Sequence, residues 1–155
     1  TVARILAIQP LDDGRSNVVV SGQSRVTLTA VESDERPYRT GECQALPDEP
    51  ESQVATAADV SLIRELAIRY AAALAVIAEV EQKPDLAEEA GLLTFQVAAL
   101  LEWDLDAKQR FLAIRSALAR VTTLRHTLPA QVADIESRAA VHRRASTNGH
   151  GSHHP

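Results

Sequence analysis

The stretch DGRSNVVVSGQSRVTLTAV, residues 13–31, decides how the rest of the chain is read. An Asp-Gly pair opens it, three consecutive valines follow, and Val26, Leu28 and Ala30 then alternate with Arg25, Thr27 and Thr29. A period of two sends alternate side chains to opposite faces of a strand. The Asp13-Gly14 pair is a hairpin signal, because glycine enters the positive-φ backbone that tight turns require. The spacing therefore predicts a strand over 2–9, a turn over 10–14, a return strand over 17–21, a break at Gly22-Gln23 and a third strand over 25–31. A polar turn at 33–36 and a fourth strand over 38–46, with Gly41 as a bulge, continue the pattern. Cys43 on that strand reads as a small buried hydrophobe.

The segment LPDEPESQ then brings two prolines and three acids together, and the period changes from two to 3.6 beyond it. Val60, Ile63, Leu66, Tyr70, Leu74 and Ile77 recur at helical spacing, with Asp59 as the cap and Pro84 as the stop. A second helix is expected over 86–101 with Leu92, Phe95 and Ala99 on its apolar stripe, and a short third is capped by Asp104 and carries Phe111. A fourth, capped by Ser116, runs along Val121, Leu124 and Leu128. Pro129 lacks an amide hydrogen and crowds the preceding turn, so it is expected to kink or split this last helix before the pattern resumes at Val132 and Ile135. The tail STNGHGSHHP has too little apolar surface to offset the entropy of ordering it.

Bulk composition narrows the function classes. Of 155 residues 45% are hydrophobic but only 3% aromatic, so the core must be aliphatic. The formal net charge of −5 opposes a nucleic-acid binder, whose affinity rests on a basic face. A lone cysteine excludes an internal disulfide. The longest apolar run, YAAALAVIAEV, falls short of the roughly 20 residues of a membrane span. With no Met anywhere, the chain reads as processed or as a piece of a longer one.

Catalytic motifs do not emerge. There is no GxxxxGK[ST] or GxGxxG loop, and the two lysines, Lys83 and Lys108, have no serine in a recognisable nucleophile arrangement. Three of the five histidines, His150, His153 and His154, lie in the tail. His126 and His142 read as solvated or partly covered helix residues rather than metal ligands. Trp103, at a helix junction, reads as a plug over the core or as a partner-facing anchor, and the same pair of readings holds for Tyr38 at the entrance of the fourth strand.

Taken in order, these segments resemble the amino-terminal domain of Lon proteases, the LON substrate-binding domain, and particularly its small stand-alone members without an ATPase. The residues that carry the resemblance are Thr1-Val2-Ala3-Arg4-Ile5, the hairpin LDDGRSNVVVSG, Arg25-Val26, Arg36-Pro37-Tyr38, Leu46-Pro47-Asp48-Glu49, and VAALLEWDLDAKQRFLAIRS at 97–116. STNGHG is similar to tails of stand-alone members. The likeness implies an α+β fold: a PUA-like, mostly antiparallel β lobe over 1–50, a helical bundle lobe over 51–145 and a disordered tail over 146–155. The family's opening strands, with their apolar, proline-rich segment, do not precede Thr1, so the β lobe is expected to be partial, with open edges and an uncovered apolar face.

What the resemblance implies for function is recognition without catalysis. The expected protein is a cytoplasmic, cofactor-free and metal-free module for unfolded or extended polypeptides, with a protease or chaperone as partner and no nucleic-acid or membrane contact. An assembly module self-associating through its helical half is the alternative, and a PUA-like RNA binder a more distant one. Tyr38 and Trp103 are the candidate substrate-binding residues, on the ground that aromatic anchors dominate binding hot spots.

Overall fold

The computed structural model describes residues 1–32, 36–50, 53–81 and 83–148, with side chains as far as 145. Four strands precede four helices in an α+β arrangement, and the chain divides into two compact units, Thr1–Asp48 and Glu49–Pro155.

The first unit is built from two antiparallel hairpins. β1 (Val2–Pro10) pairs with β2 (Ser16–Ser24), and β3 (Val26–Glu32) pairs with β4 (Thr40–Ala45). The first turn is held as its sequence suggests: Gly14 has φ +83° and donates to the Leu11 carbonyl at 3.1 Å, while the Asp13 carboxylate accepts from the amide and Nε of Arg15. Gly22-Gln23 does not break the strand. β2 continues through both to Ser24, and the irregularity appears instead as a register shift opposite Val2 and Ala3. The polar turn expected at 33–36 lies mostly outside the described residues.

The second unit starts with α1 (Ala57–Ala78), capped by Thr56 rather than by Asp59. Thr56 Oγ1 accepts from the Asp59 amide at 3.1 Å and donates to the Asp59 carboxylate at 2.7 Å, so Asp59 serves as the third helical residue of a reciprocal cap. Its other end closes before Pro84: Glu79 adopts the left-handed conformation, and the amides of Glu79 and Val80 bond to Val76 and Ala75 carbonyls. α2 (Ala90–Leu100) begins four residues later than the periodicity suggests, because Glu89 caps it through the Gly91 and Leu92 amides. Its buried face is Leu93, Val97 and Ala98, not Leu92 and Ala99, which are exposed. This helix is apolar almost all round, so periodicity alone cannot choose the face that packs.

Asp104 caps α3 (Leu105–Ala113) through the Ala107 amide, as expected. Ser116 Oγ accepts from the Ala119 amide at the start of α4 (Ala117–Asn148). α4 runs unbroken through Pro129, contrary to a split there. The stripe Val121, Leu124, Leu128, Val132, Ile135 and Ala139 is buried on both sides of the proline, and its packing, chiefly on α1, outweighs one missing backbone bond. The α4 backbone continues as helix three residues into the expected tail, to Asn148; residues 149–155 lie outside the described residues.

Candidate functional site

Directly opposed residues of an antiparallel pair share a face, so the register sorts each hairpin's surface. In β1·β2 the partners Ile5↔Val20 and Ile8↔Val18 lie on one face, while Ala7↔Val19, Gln9↔Asn17 and Arg4↔Ser21 lie on the other. Ile5 and Ile8 are three apart and would face opposite ways in a regular strand. The shift between Ile5 and Ala7 leaves Leu6 as an extra residue and returns Ile8 to the side of Ile5. Ile5 and Ile8 are each 59% exposed, so this aliphatic face is open.

The second hairpin repeats the device. Val26↔Ala45, Leu28↔Cys43 and Val31↔Gly41 share one face, and Thr27↔Gln44, Ala30↔Glu42 and Glu32↔Thr40 share the other. Thr29 is the extra residue, its Oγ1 donating to the Glu42 carbonyl at 3.1 Å. Sequence alternation groups Ala30 with Val26 and Leu28; the bulge moves Ala30 to the polar face and delivers Val31 in its place. Gly41 pairs with Val31, beside the bulge rather than within it, and a Cβ there would collide with the Ala30 carbonyl oxygen and stand 3.0 Å from Leu28 Cδ1. Cys43 is on a strand as expected but is exposed, not buried, as is its cross-strand partner Leu28.

The helical unit offers a different environment. Arg120 is completely buried. Its Nε donates to Thr94 Oγ1 at 2.9 Å, its Nη1 to the Ile114 carbonyl at 2.8 Å, and its guanidinium sits 4.2 Å from the Phe95 ring centre. Gly91 makes the room: a Cβ there would stand 3.3 Å from Arg120 Nη2 and 2.9 Å from Glu89 Oε1. A hollow of about 340 Å³ lies against the C-terminal half of α1, lined by Ala71, Leu74, Ala78, Pro84 and Leu100 together with Lys83 and Asp85. Its loop wall is clamped by Arg64, which donates to the Leu86 and Ala87 carbonyls, and by Gln96, which accepts from the Ala87 amide and donates to the Asp85 carbonyl.

The two aromatic candidates belong to different units. Tyr38 is 62% exposed, with the Arg36 guanidinium 6.0 Å from its ring centre. Trp103 is partly buried on the helical core, 5.4 Å from Phe111 in an edge-on contact, which favours its reading as a plug. Tyr70 is buried and its hydroxyl accepts from the Glu102 amide at 3.3 Å; burial pushes its pKa up. His126 is exposed and His142 meets Glu79 at 3.2 Å; the tail histidines lie outside the described residues. Among the described residues, no group of three or more His, Cys, Asp or Glu is placed to hold a metal ion, and no helix is long and apolar enough to cross a membrane.

Sequence reasoning missed Arg120 and the facial sorting of the hairpins. The first had a signal, since Arg120 precedes Leu124 and Leu128 at intervals of four on the buried stripe. The second had one too: Leu28 and Val31 are three apart, a spacing that only a bulge reconciles with one strand face.

The sequence profile of the ATP-dependent protease La (LON) substrate-binding domain matches residues 1–129. No curated protein matches the chain.

Proposed function

The chain belongs to the LON substrate-binding domain family, and from that premise we propose that it is a non-catalytic module that holds extended or unfolded polypeptide segments through its β unit. The observation that carries this reading is the pair of two-stranded hairpins whose aliphatic faces are open to solvent. A two-stranded ribbon leaves each strand with one unpaired row of amides and carbonyls, the template to which an extended segment adds by backbone hydrogen bonds, while the open aliphatic positions take its alternate side chains. Such contacts are tolerant of sequence, as capture of unfolded chains requires. A protease or chaperone that receives the segment is the natural partner in this scheme, and an acidic chain is a poor match for nucleic acid.

Hydrogen exchange with and without excess denatured casein tests the proposal. Protection gained over 18–46 is the expected result; free exchange there in both samples removes the β unit as the binding surface. Turnover of casein by the purified protein alone would overturn the non-catalytic part. The alternative of assembly through the helical half finds less support, because the α1 residues Ala67, Ala71 and Ala73 are buried within this one chain.

A further inference from the structure

We propose that the hollow beside the C-terminal half of α1 is a binding site for a free aliphatic α-amino acid of about the size of leucine. Its volume of about 340 Å³ lies at the small end of the roughly 300–1,000 Å³ of ligand pockets. The inner wall is aliphatic: Ala71 is buried, and Leu74, Ala75 and Leu100 are half-buried. Among the described residues no aromatic ring lines it, so it suits a branched alkyl group rather than a flat ring that needs a stacking partner.

Charge then selects among aliphatic ligands. Lys83 and Asp85 line the same hollow, one on each side of Pro84 in the chain, and both are exposed. Among the described residues neither side chain has an ion-pair or hydrogen-bond partner. A cation and an anion left open at one apolar hollow complement a ligand that carries both signs, its carboxylate on Lys83 and its ammonium on Asp85. An alkylamine or an alkyl carboxylate would instead meet one like charge. Ala78 and Leu100, the last residues of α1 and α2, also line the hollow, and the partial negative charge of helix C-termini adds to Asp85 in holding an ammonium group. The site is built before any ligand arrives. Pro84 has a fixed φ, and Arg64 and Gln96 clamp the backbone of residues 85–87 through four hydrogen bonds of 2.6 to 3.1 Å, so little ordering entropy is lost on binding. This inference concerns a small molecule and the helical unit, and it stands apart from the polypeptide reading of the β unit.

An NMR titration of the whole, isotope-labelled chain with L-leucine is the experiment. The expected result is a saturable shift of the amides of Ala71, Ala75, Ala78, Asp85 and Leu100, with those of β1 to β4 unmoved. Glycine keeps both charges and loses the side chain, and should bind roughly tenfold or more weakly. Isopentylamine and 4-methylpentanoate keep the side chain and one charge each, and should bind roughly two- to fivefold more weakly than leucine. Lys83→Gln should weaken leucine by a similar factor without weakening isopentylamine, and Asp85→Asn should weaken leucine without weakening 4-methylpentanoate. Both substitutions fall at exposed positions, and an unchanged melting temperature checks that each variant is folded. Absence of shifts up to the solubility limit of leucine overturns the proposal. So do equal binding of glycine, which would leave the hollow without a part, and leucine affinity untouched by both substitutions, which would leave the two charges without one.

Discussion

Arg120 is the residue on which the helical unit is most exposed to single-site damage. A guanidinium at 0% exposure has lost its hydration, and its hydrogen bonds to Thr94 and Ile114 and its stacking on Phe95 offset that loss. Arg120→Met keeps the apolar stem but leaves the Ile114 carbonyl without this donor. We expect a loss of about 2–4 kcal/mol in urea unfolding followed by circular dichroism. Thr94→Val should cost less, about 1–2 kcal/mol, since Thr94 Oγ1 also donates to the Gly91 carbonyl at 2.6 Å and a helical carbonyl tolerates losing a second donor. Equal stability of Arg120→Met and wild type would mean that the network contributes position rather than energy. At this scale the sequence was hard to read: a charged residue on an apolar stripe looks like an error in the stripe until Gly91, 29 positions earlier, is seen to make space for it.

At the level of elements, caps and turns were the most legible features and helix faces the least. Asp13-Gly14, Asp104 and Ser116 act locally, within three residues, so their chemistry is visible in the sequence itself. The α2 face depends on what that helix packs against, which no local pattern records. Pro129 shows tertiary packing overriding a local preference. Restoring an amide with Pro129→Ala should stabilise α4 by about 1–2 kcal/mol, the interior cost of proline less the chain entropy it removes from the unfolded state; an unchanged or lowered urea midpoint would show that the proline sets a bend the packing needs.

Acid should loosen the same helices. Hydrogen bonds from Arg138, Arg69 and Arg125 hold Glu102, Glu136 and Asp59 below their ordinary values of 4.5, 4.5 and 3.8. Because the folded values are the lower ones, the unfolded chain binds more protons in this range. The stabilisation is complete above the unfolded values and is lost as pH falls through the folded ones. Melting temperature should therefore hold steady from neutrality down to about pH 5 and decline below it. Glu136→Gln, which removes the bidentate partner of Arg69, should shallow that decline; an unaltered acid limb would show that screening leaves this exposed pair without effect.

For the whole molecule, the hydrophobic period changes from two to 3.6 near LPDEPESQ, and the chain divides into two compact units after Asp48. The helical unit buries a continuous aliphatic core, whereas isolated two-stranded ribbons are marginal in water. Native-state hydrogen exchange should accordingly show amides of α1 and α4 opening only with global unfolding, and those of β1 to β4 opening at far lower cost. Uniform protection across both units would mean that the hairpins fold cooperatively with the helices.

The position of the single tryptophan has a spectroscopic consequence. Trp103 rests on Phe111 in the helical unit, and none of β1 to β4 carries another indole. Its emission therefore reports α3 and its neighbours. A fluorophore on Cys43, exposed on β4, is the probe that sits on the strands themselves.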